Sequence, residues 1–433
     1  WFVLGEGTVS DQGVFTPPAF ATSRISVVRC DITFGSSVWM RGYSVIQLSE
    51  QQEEELRWTN LQTFEVTTNG GVDRCYANGR QQVPVIVKIE TKPLTIDGRT
   101  IYIPVSDADL ATLRLVEKTT GSEVPFISVG EEGIEHNSHL QYATSRVRNR
   151  FRYYSPSAQE AAVLPMPEPQ NNGTRFRELY VHMAVDATRS FYARFQAYGS
   201  TWTSDNADVG GISEVAVTGV RVSGPTGSEY QLERERVAAD PQGHDQPNDP
   251  SDPGYPNRDV FSYYRWSVDY WRLSYRRLNS YPVKFATLQI EQNISTIQWE
   301  SELLEETYCS YTGYAFRAAN ANNSDSPAPE GLSFDLYLRN LLKETGKVLQ
   351  YEFHGDNKPS PGELIVSLHR VDDLEYWYDG MAGGDEHRQY QRLLKSAVIF
   401  VMLDEDGNRH RVQIGFPDKS LVDSRNRLQF SPQ

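Results

Sequence analysis

Three cysteines in 433 residues, Cys30, Cys75 and Cys309, are too few to staple a fold. Disulfide frameworks belong to small secreted domains that cannot build a sufficient core. No pair has C-x-x-C spacing, which argues against a thiolate zinc site. Two readings stand: a Cys30–Cys75 bridge in an exported protein, or three buried thiols. Long apolar runs are also missing. The longest, such as Ala397–Leu403, are strand-sized, against the ~18–20 residues of a membrane helix. No basic and apolar leader follows Trp1, so the start reads as processed or trimmed.

Positive charge is the minority sign, with 42 basic against 57 acidic residues and a formal charge of -15. Such a surface repels phosphate backbones, so nucleic acid is not the expected partner. The basic runs Arg146, Arg148, Arg150 and Arg152, and Arg272, Arg276 and Arg277, read as solvated faces.

Catalytic signatures are absent as well. There is no G-x-S-x-G elbow, P-loop or dinucleotide G-x-G-x-x-G. Asp404-Glu405-Asp406-Gly407-Asn408 resembles a calcium loop only in composition, because glycine falls at its fourth position and Gly415 at its twelfth. An EF-hand requires glycine at the sixth and glutamate at the twelfth. A hairpin turn accounts for the same residues. Glu135, His136 and His139 lack a third strong zinc ligand and a helix to hold them. The aspartates from Asp240 to Asp259 read as linker charge. No catalytic residue, cofactor or metal ligand is therefore assigned. A pair of glycosidase carboxylates leaves no sequence mark.

What the chain has is strand pattern and tyrosine. Mean hydropathy is -0.54, and the length suggests about three or four domains. Residues 1–78 read as β-rich, with strands at Ile25–Thr33 and Leu61–Thr67. In 79–160, Val83, Val85, Val87 and Ile89 alternate with neighbours that include Pro84, which places that strand at an edge or at its own start. Asp97-Gly98 reads as a hairpin turn. Leu113–Glu117 and Arg146–Tyr154 complete a first immunoglobulin-like sandwich. A second occupies 170–237, where Leu179, Val181 and Met183 share one strand face and Phe191, Ala193, Phe195 and Ala197 another.

Residues 238–258 are rich in proline and aspartate and read as a linker. Beyond it, 259–433 reads as α+β. Phe261, Tyr264, Val268, Trp271, Tyr275 and Leu278 follow 3 and 4 spacing, which predicts an aromatic helix. Further helices are expected at Ser333–Thr345 and Glu386–Lys395, and strands at Val348–Phe353, Leu364–His369, Val398–Leu403 and Arg411–Ile414.

The fold class expected is mainly β: tandem immunoglobulin-like sandwiches followed by a C-terminal α+β domain. With 24 Tyr, 18 Phe and 8 Trp, contact surfaces are the expected working parts. Interface candidates are Phe261, Tyr264, Val268, Trp271, Tyr275 and Trp202, the last beside the loop Ser204–Gly211. The function expected is a non-enzymatic structural or interaction protein of an extracellular, surface or virion-like assembly. Its partners would be proteins or further copies of itself. The alternatives are a secreted toxin or glycan- and receptor-binding module, and a carbohydrate-active enzyme.

Overall fold

The computed structural model describes residues 1–18, 25–34, 37–48, 57–96, 99–135, 138–155, 160–221, 227–239, 266–277, 282–291, 294–300, 309–320, 326–336, 338–339, 349–371, 394–421 and 424–433. The described chain is mainly β. It divides into two compact units, one of residues 1–63, 89–107 and 169–175, the other of residues 64–88, 108–168 and 176–433.

In the first unit, Phe2–Leu4, Ile25–Phe34 and Ser37–Gln47 form a three-stranded antiparallel ribbon. The hairpin expected at Asp97-Gly98 is flanked by paired strands Leu94–Ile96 and Arg99–Ile101. The turn residues themselves lie outside the described residues.

A sandwich draws its strands from residues 61–76 and from both of the stretches that the sequence pattern separates. One sheet orders Arg114–Glu117, Thr188–Ala197, Val215–Val220 and Arg74–Tyr76, and the other orders Tyr142–Ser145, Thr174–Met183, Gln82–Thr91 and Leu61–Thr68. Residues 79–160 and 170–237 thus share two sheets instead of forming two tandem sandwiches. The apolar alternation is local and fixes which side chains point inward, but not which strand is the neighbour. Phe191, Ala193, Phe195 and Ala197 are all buried as one face. Across the core, Phe195 meets Phe64 with ring centroids 5.4 Å apart, and Phe191 meets Tyr142 at 5.5 Å. Pro84 stands two residues into a strand with a neighbour on each side. Arg146–Tyr154, expected as a strand, is irregular. There Asn149 donates to the carbonyls of Arg80 and Glu132 and accepts from the Phe151 amide, replacing a ladder with side-chain bonds.

Two packed sheets hold the described strands of 259–433, and Tyr230–Ala239 joins the larger of them. The larger orders Tyr230–Ala239, Trp266–Arg276, Glu363–Val371, Cys309–Arg317 and Gln298–Glu300, and the smaller orders Phe285–Ile290, Val398–Asp404, Arg409–Gly415 and Gln429–Pro432. The aromatic segment from residue 266 is therefore a strand, not a helix, while Phe261 and Tyr264 lie outside the described residues. The physical reason is burial on both faces. Val268 and Tyr270 pack on one side with Ile365, Tyr311 and Phe334. Trp271, Leu273 and Tyr275 pack on the other with Phe285, Val366 and Phe400. Two apolar faces offset along one strand reproduce 3 and 4 spacing, and aromatic side chains favour a sheet with partners on both edges.

Of the helix expected at Ser333–Thr345, Leu336, Leu338 and Arg339 are helical, and the Arg339 amide donates to the Asp335 carbonyl at 3.1 Å. Residues 340–345 lie outside the described residues. So does nearly all of Glu386–Lys395, in which Leu394 is helical. Residues 349–353 are irregular where a strand was expected.

The strand assignment makes a sharp prediction. Leu273 is 1% exposed and Ser274 is exposed on the opposite face. Leu273→Ala should cost about 2–5 kcal/mol in urea unfolding, while Ser274→Ala should stay within about 0.5 kcal/mol.

Candidate functional site

The turn Asp404–Asn408 joins the strands Val398–Asp404 and Arg409–Gly415, as the sequence indicates. Its surroundings are the surprise. Asp404 is 0% exposed, Asp406 3% and Asn408 7%, so a run of three carboxylates and an amide is buried. Burying carboxylates costs several kcal/mol each unless every oxygen is met. Here the oxygens are met.

Asp404 Oδ1 accepts from the amides of Asp406 at 2.9 Å and Asn408 at 2.8 Å. Its Oδ2 accepts from Asn408 Nδ2 and from His410 Nε2, each at 3.1 Å. His410 Nδ1 lies 2.7 Å from the Tyr230 hydroxyl. A carboxylate on Nε2 requires the proton there, which leaves Nδ1 to accept from Tyr230. Burial pushes the Tyr230 hydroxyl well above its ordinary range, so it keeps the proton it donates.

Two arginines close the turn. Arg152 bonds Asp406 Oδ1 at 3.0 Å and lies 3.2 Å from Glu405 Oε1, while its amide donates to the Glu405 carbonyl at 2.8 Å. Arg277 bonds Asp406 Oδ2 at 3.2 Å, donates to the Tyr76 hydroxyl and stacks 4.8 Å over the Tyr76 ring. Asn78 donates to the Asp406 carbonyl at 2.9 Å and to Asn408 Oδ1 at 2.8 Å. Gly407 has φ +81, and a Cβ there would come within 2.9 Å of the Arg80 Cβ. Only glycine suits both the backbone and the space. Through these contacts the C-terminal sandwich holds the 76–81 loop and the 149–153 segment of the first sandwich.

Burial pushes the Arg277 charge down, but Tyr76, Asp406 and Asp404 outweigh it and hold the guanidinium protonated. Asp404 is likewise opposed by burial, yet His410 and Asn408 hold its carboxyl below the usual range. Asp406 has weaker compensation: burial and the neighbouring Asp404 raise it to about 6. Burial raises Glu405 too.

The order tyrosine, imidazole, carboxylate is that of an activated nucleophile. Here the Tyr230 ring lies within a packed core, against the rings of Tyr275 and Phe430, and both carboxylate oxygens of Asp404 and of Asp406 are bonded to other parts of the same chain. Guanidinium groups occupy the places a cation would take. Among the described residues, no group of three or more His, Cys, Asp or Glu is placed to hold a metal ion. Glu135 and His139 form no such group, and His136 lies outside the described residues. A groove of about 620 Å³ in the first sandwich is lined by Phe126–Glu132 and Ser145–Asn149 and includes none of the turn residues.

Of the interface candidates, Phe261 and Tyr264 lie outside the described residues, and the other four fall as follows. Val268 and Tyr275 are buried and Trp271 is half-buried within the C-terminal cores. Trp202 is half-buried on Ser200–Thr203, opposite Phe195. The basic runs are dispersed among separate partners. Arg146 stacks on Phe126, Arg148 pairs with Glu160, Arg150 with Glu132, and Arg272 with Glu235 and Glu363. All three cysteines are free, and burial pushes the Cys75 thiol up to about 12.

No family model and no curated protein matches this chain. Among solved structures, it is similar over 72% of its length to domains 4–9 of the surface layer protein SbsC, at 8% identity and a TM-score of 0.17. The chain spans 36% of that structure. It is also similar to a partial N-terminal region of an enterococcal surface protein, over 89% of this chain and 97% of that one, at 11% identity and a TM-score of 0.12. Superpositions this loose carry no argument about function.

The clasp predicts two outcomes. Arg277→Met leaves buried carboxylates without their counter-charge and should cost about 3–5 kcal/mol. For Asp406→Asn the readout is the stability difference from wild type against pH. Between about 4 and 6 the folded chain keeps a proton on Asp406 that the unfolded chain has released, so Asp406 favours folding less as pH rises. The wild-type stability should therefore fall relative to Asp406→Asn across that window and then level off. Taking the difference cancels His182 and His369, which burial pushes down to about 4 and about 3 and which act in the opposite sense.

Proposed function

We propose that this chain is a non-enzymatic structural or interaction protein of an extracellular, surface or virion-like assembly, built on immunoglobulin-like β-sandwich modules. One observation carries the reading: the three-stranded ribbon of the first unit turns apolar side chains to solvent. On one face Leu4, Val27 and Val45 stand in register across all three strands, with Phe2, Arg29 and Tyr43 in the next row. Leu4 is 49% exposed, Val45 69% and Tyr43 59%. Ile25 extends the same face, and Ile32 and Met40 are exposed on the other.

A contiguous exposed apolar patch is unfavourable for a solitary soluble protein and marks a contact site. The inverse placement supports the same reading. The groups best suited to chemistry are consumed inside the fold, whereas the exposed surface offers area and β edge. Function then resides in faces, not in an enclosed pocket.

The test is the state of the purified full chain across concentration, by sedimentation velocity and electron microscopy. The reading predicts a defined oligomer or ordered polymer. A chain that stays monomeric, or that hydrolyses glycosides at a rate abolished by removing a carboxylate pair, would sink it.

A further inference from the structure

Within the ribbon, Ser37–Gln47 pairs with Ile25–Phe34 on one side along its whole length, from Ile25 opposite Gln47 to Phe34 opposite Ser37. No strand among the described residues pairs with its other edge. Long exposed edges are ordinarily blunted by proline, lysine, inward charges or bulges. This strand has no proline and no lysine. Its one charge, Arg41, is held by Asp31 on the neighbouring strand at 2.9 Å. The single irregularity in register lies at Ile32–Thr33, beside the turn.

We infer that a second copy of this chain adds its own Ser37–Gln47 strand antiparallel to this edge, about a two-fold axis through Gly42. The inference rests on the assembly reading above and names its contact.

Three features select this occupant and register. Gly42 is the midpoint of the eleven-residue strand, so a two-fold axis there is the one that uses every residue. A two-fold pairing is self-complementary by construction. With that axis, Arg41 of each copy faces Tyr43 of the other, and Val38 faces Ile46, giving a cation–ring pair and an aliphatic pair. Moving the axis by one residue to position 41 would set Arg41 against Arg41, and like charges directly opposite repel. Finally, Arg41, Gly42 and Tyr43 are all exposed, so no described residue covers the strand where the axis falls.

Charge favours the same contact. The three ribbon strands carry Arg29, Arg41 and Asp31, one net positive charge, on a chain of formal charge -15. Copies therefore repel at long range and meet where that repulsion is least. Added salt should tighten the pair rather than loosen it.

The experiment has two arms, both in the full-length chain with Cys30→Ser, because Cys30 lies opposite Gly42. In the first, sedimentation velocity compares this background with Met40→Lys/Val45→Lys. Both residues are exposed, 53% and 69%, so the fold should survive, checked by circular dichroism. The expected result is a weakening of self-association by at least roughly tenfold. In the second, Arg41→Cys and Tyr43→Cys chains are oxidised separately and mixed. Residues directly opposite lie about 5 Å apart, within disulfide reach. The cross-link should form in the mixture and not in either chain alone.

A background chain that assembles equally well with both lysines in place overturns the pairing and leaves the assembly reading standing. Cross-links that form without regard to the mixture overturn the register and with it the two-fold contact. A background chain monomeric at all concentrations overturns both.

Discussion

One constraint ties the two sandwiches of the second unit together: the Asp404 side chain is fully buried and that of Asp406 nearly so. Such a turn is tolerable only if its partners are delivered from elsewhere. They come from Arg152 and Asn78 of the first sandwich, from Arg277 at the end of the central C-terminal strand, and from His410 and Tyr230 within the C-terminal core. A buried polar network whose carboxylates are met in this way favours one arrangement, because removing a partner strands the charge it held. The clasp thereby joins the two sandwiches through directional polar contacts.

The two kinds of surface are used in opposite ways. The polar network around Asp404–Asn408 faces inward. The ribbon, with few charges and many apolar side chains, faces outward. The groove in the first sandwich is lined by none of the clasp residues.

The strands were largely legible in the sequence where one face is buried and the other is not. Phe191 to Ala197 and Val398 to Leu403 are found where alternation places them. Legibility failed where both faces are covered. Val268, Trp271 and Tyr275 gave a helical spacing because two offset apolar faces overlap on one strand. It failed again for partnership between strands, since alternation carries no information about neighbours. The turn at Asp404–Asn408 was legible as a turn, but its burial was not. Its counter-charges, Arg152 and Arg277, are 252 and 127 positions away from Asp404, and each sat in a run that resembled a solvated face. The ribbon was legible as strand at Ile25–Thr33. Its exposure was not, and no strand was expected over Ser37–Gln47.

The most direct measurement is hydrogen exchange by mass spectrometry on the full chain at about 1 µM and about 100 µM, which reads backbone protection segment by segment. A structural clasp and an adhesive ribbon predict that residues 404–410 are protected at both concentrations. They also predict that residues 37–47 gain protection only at the higher one. Unprotected exchange in 404–410, or concentration-independent exchange in 37–47 with protection arising at another surface, would contradict the account.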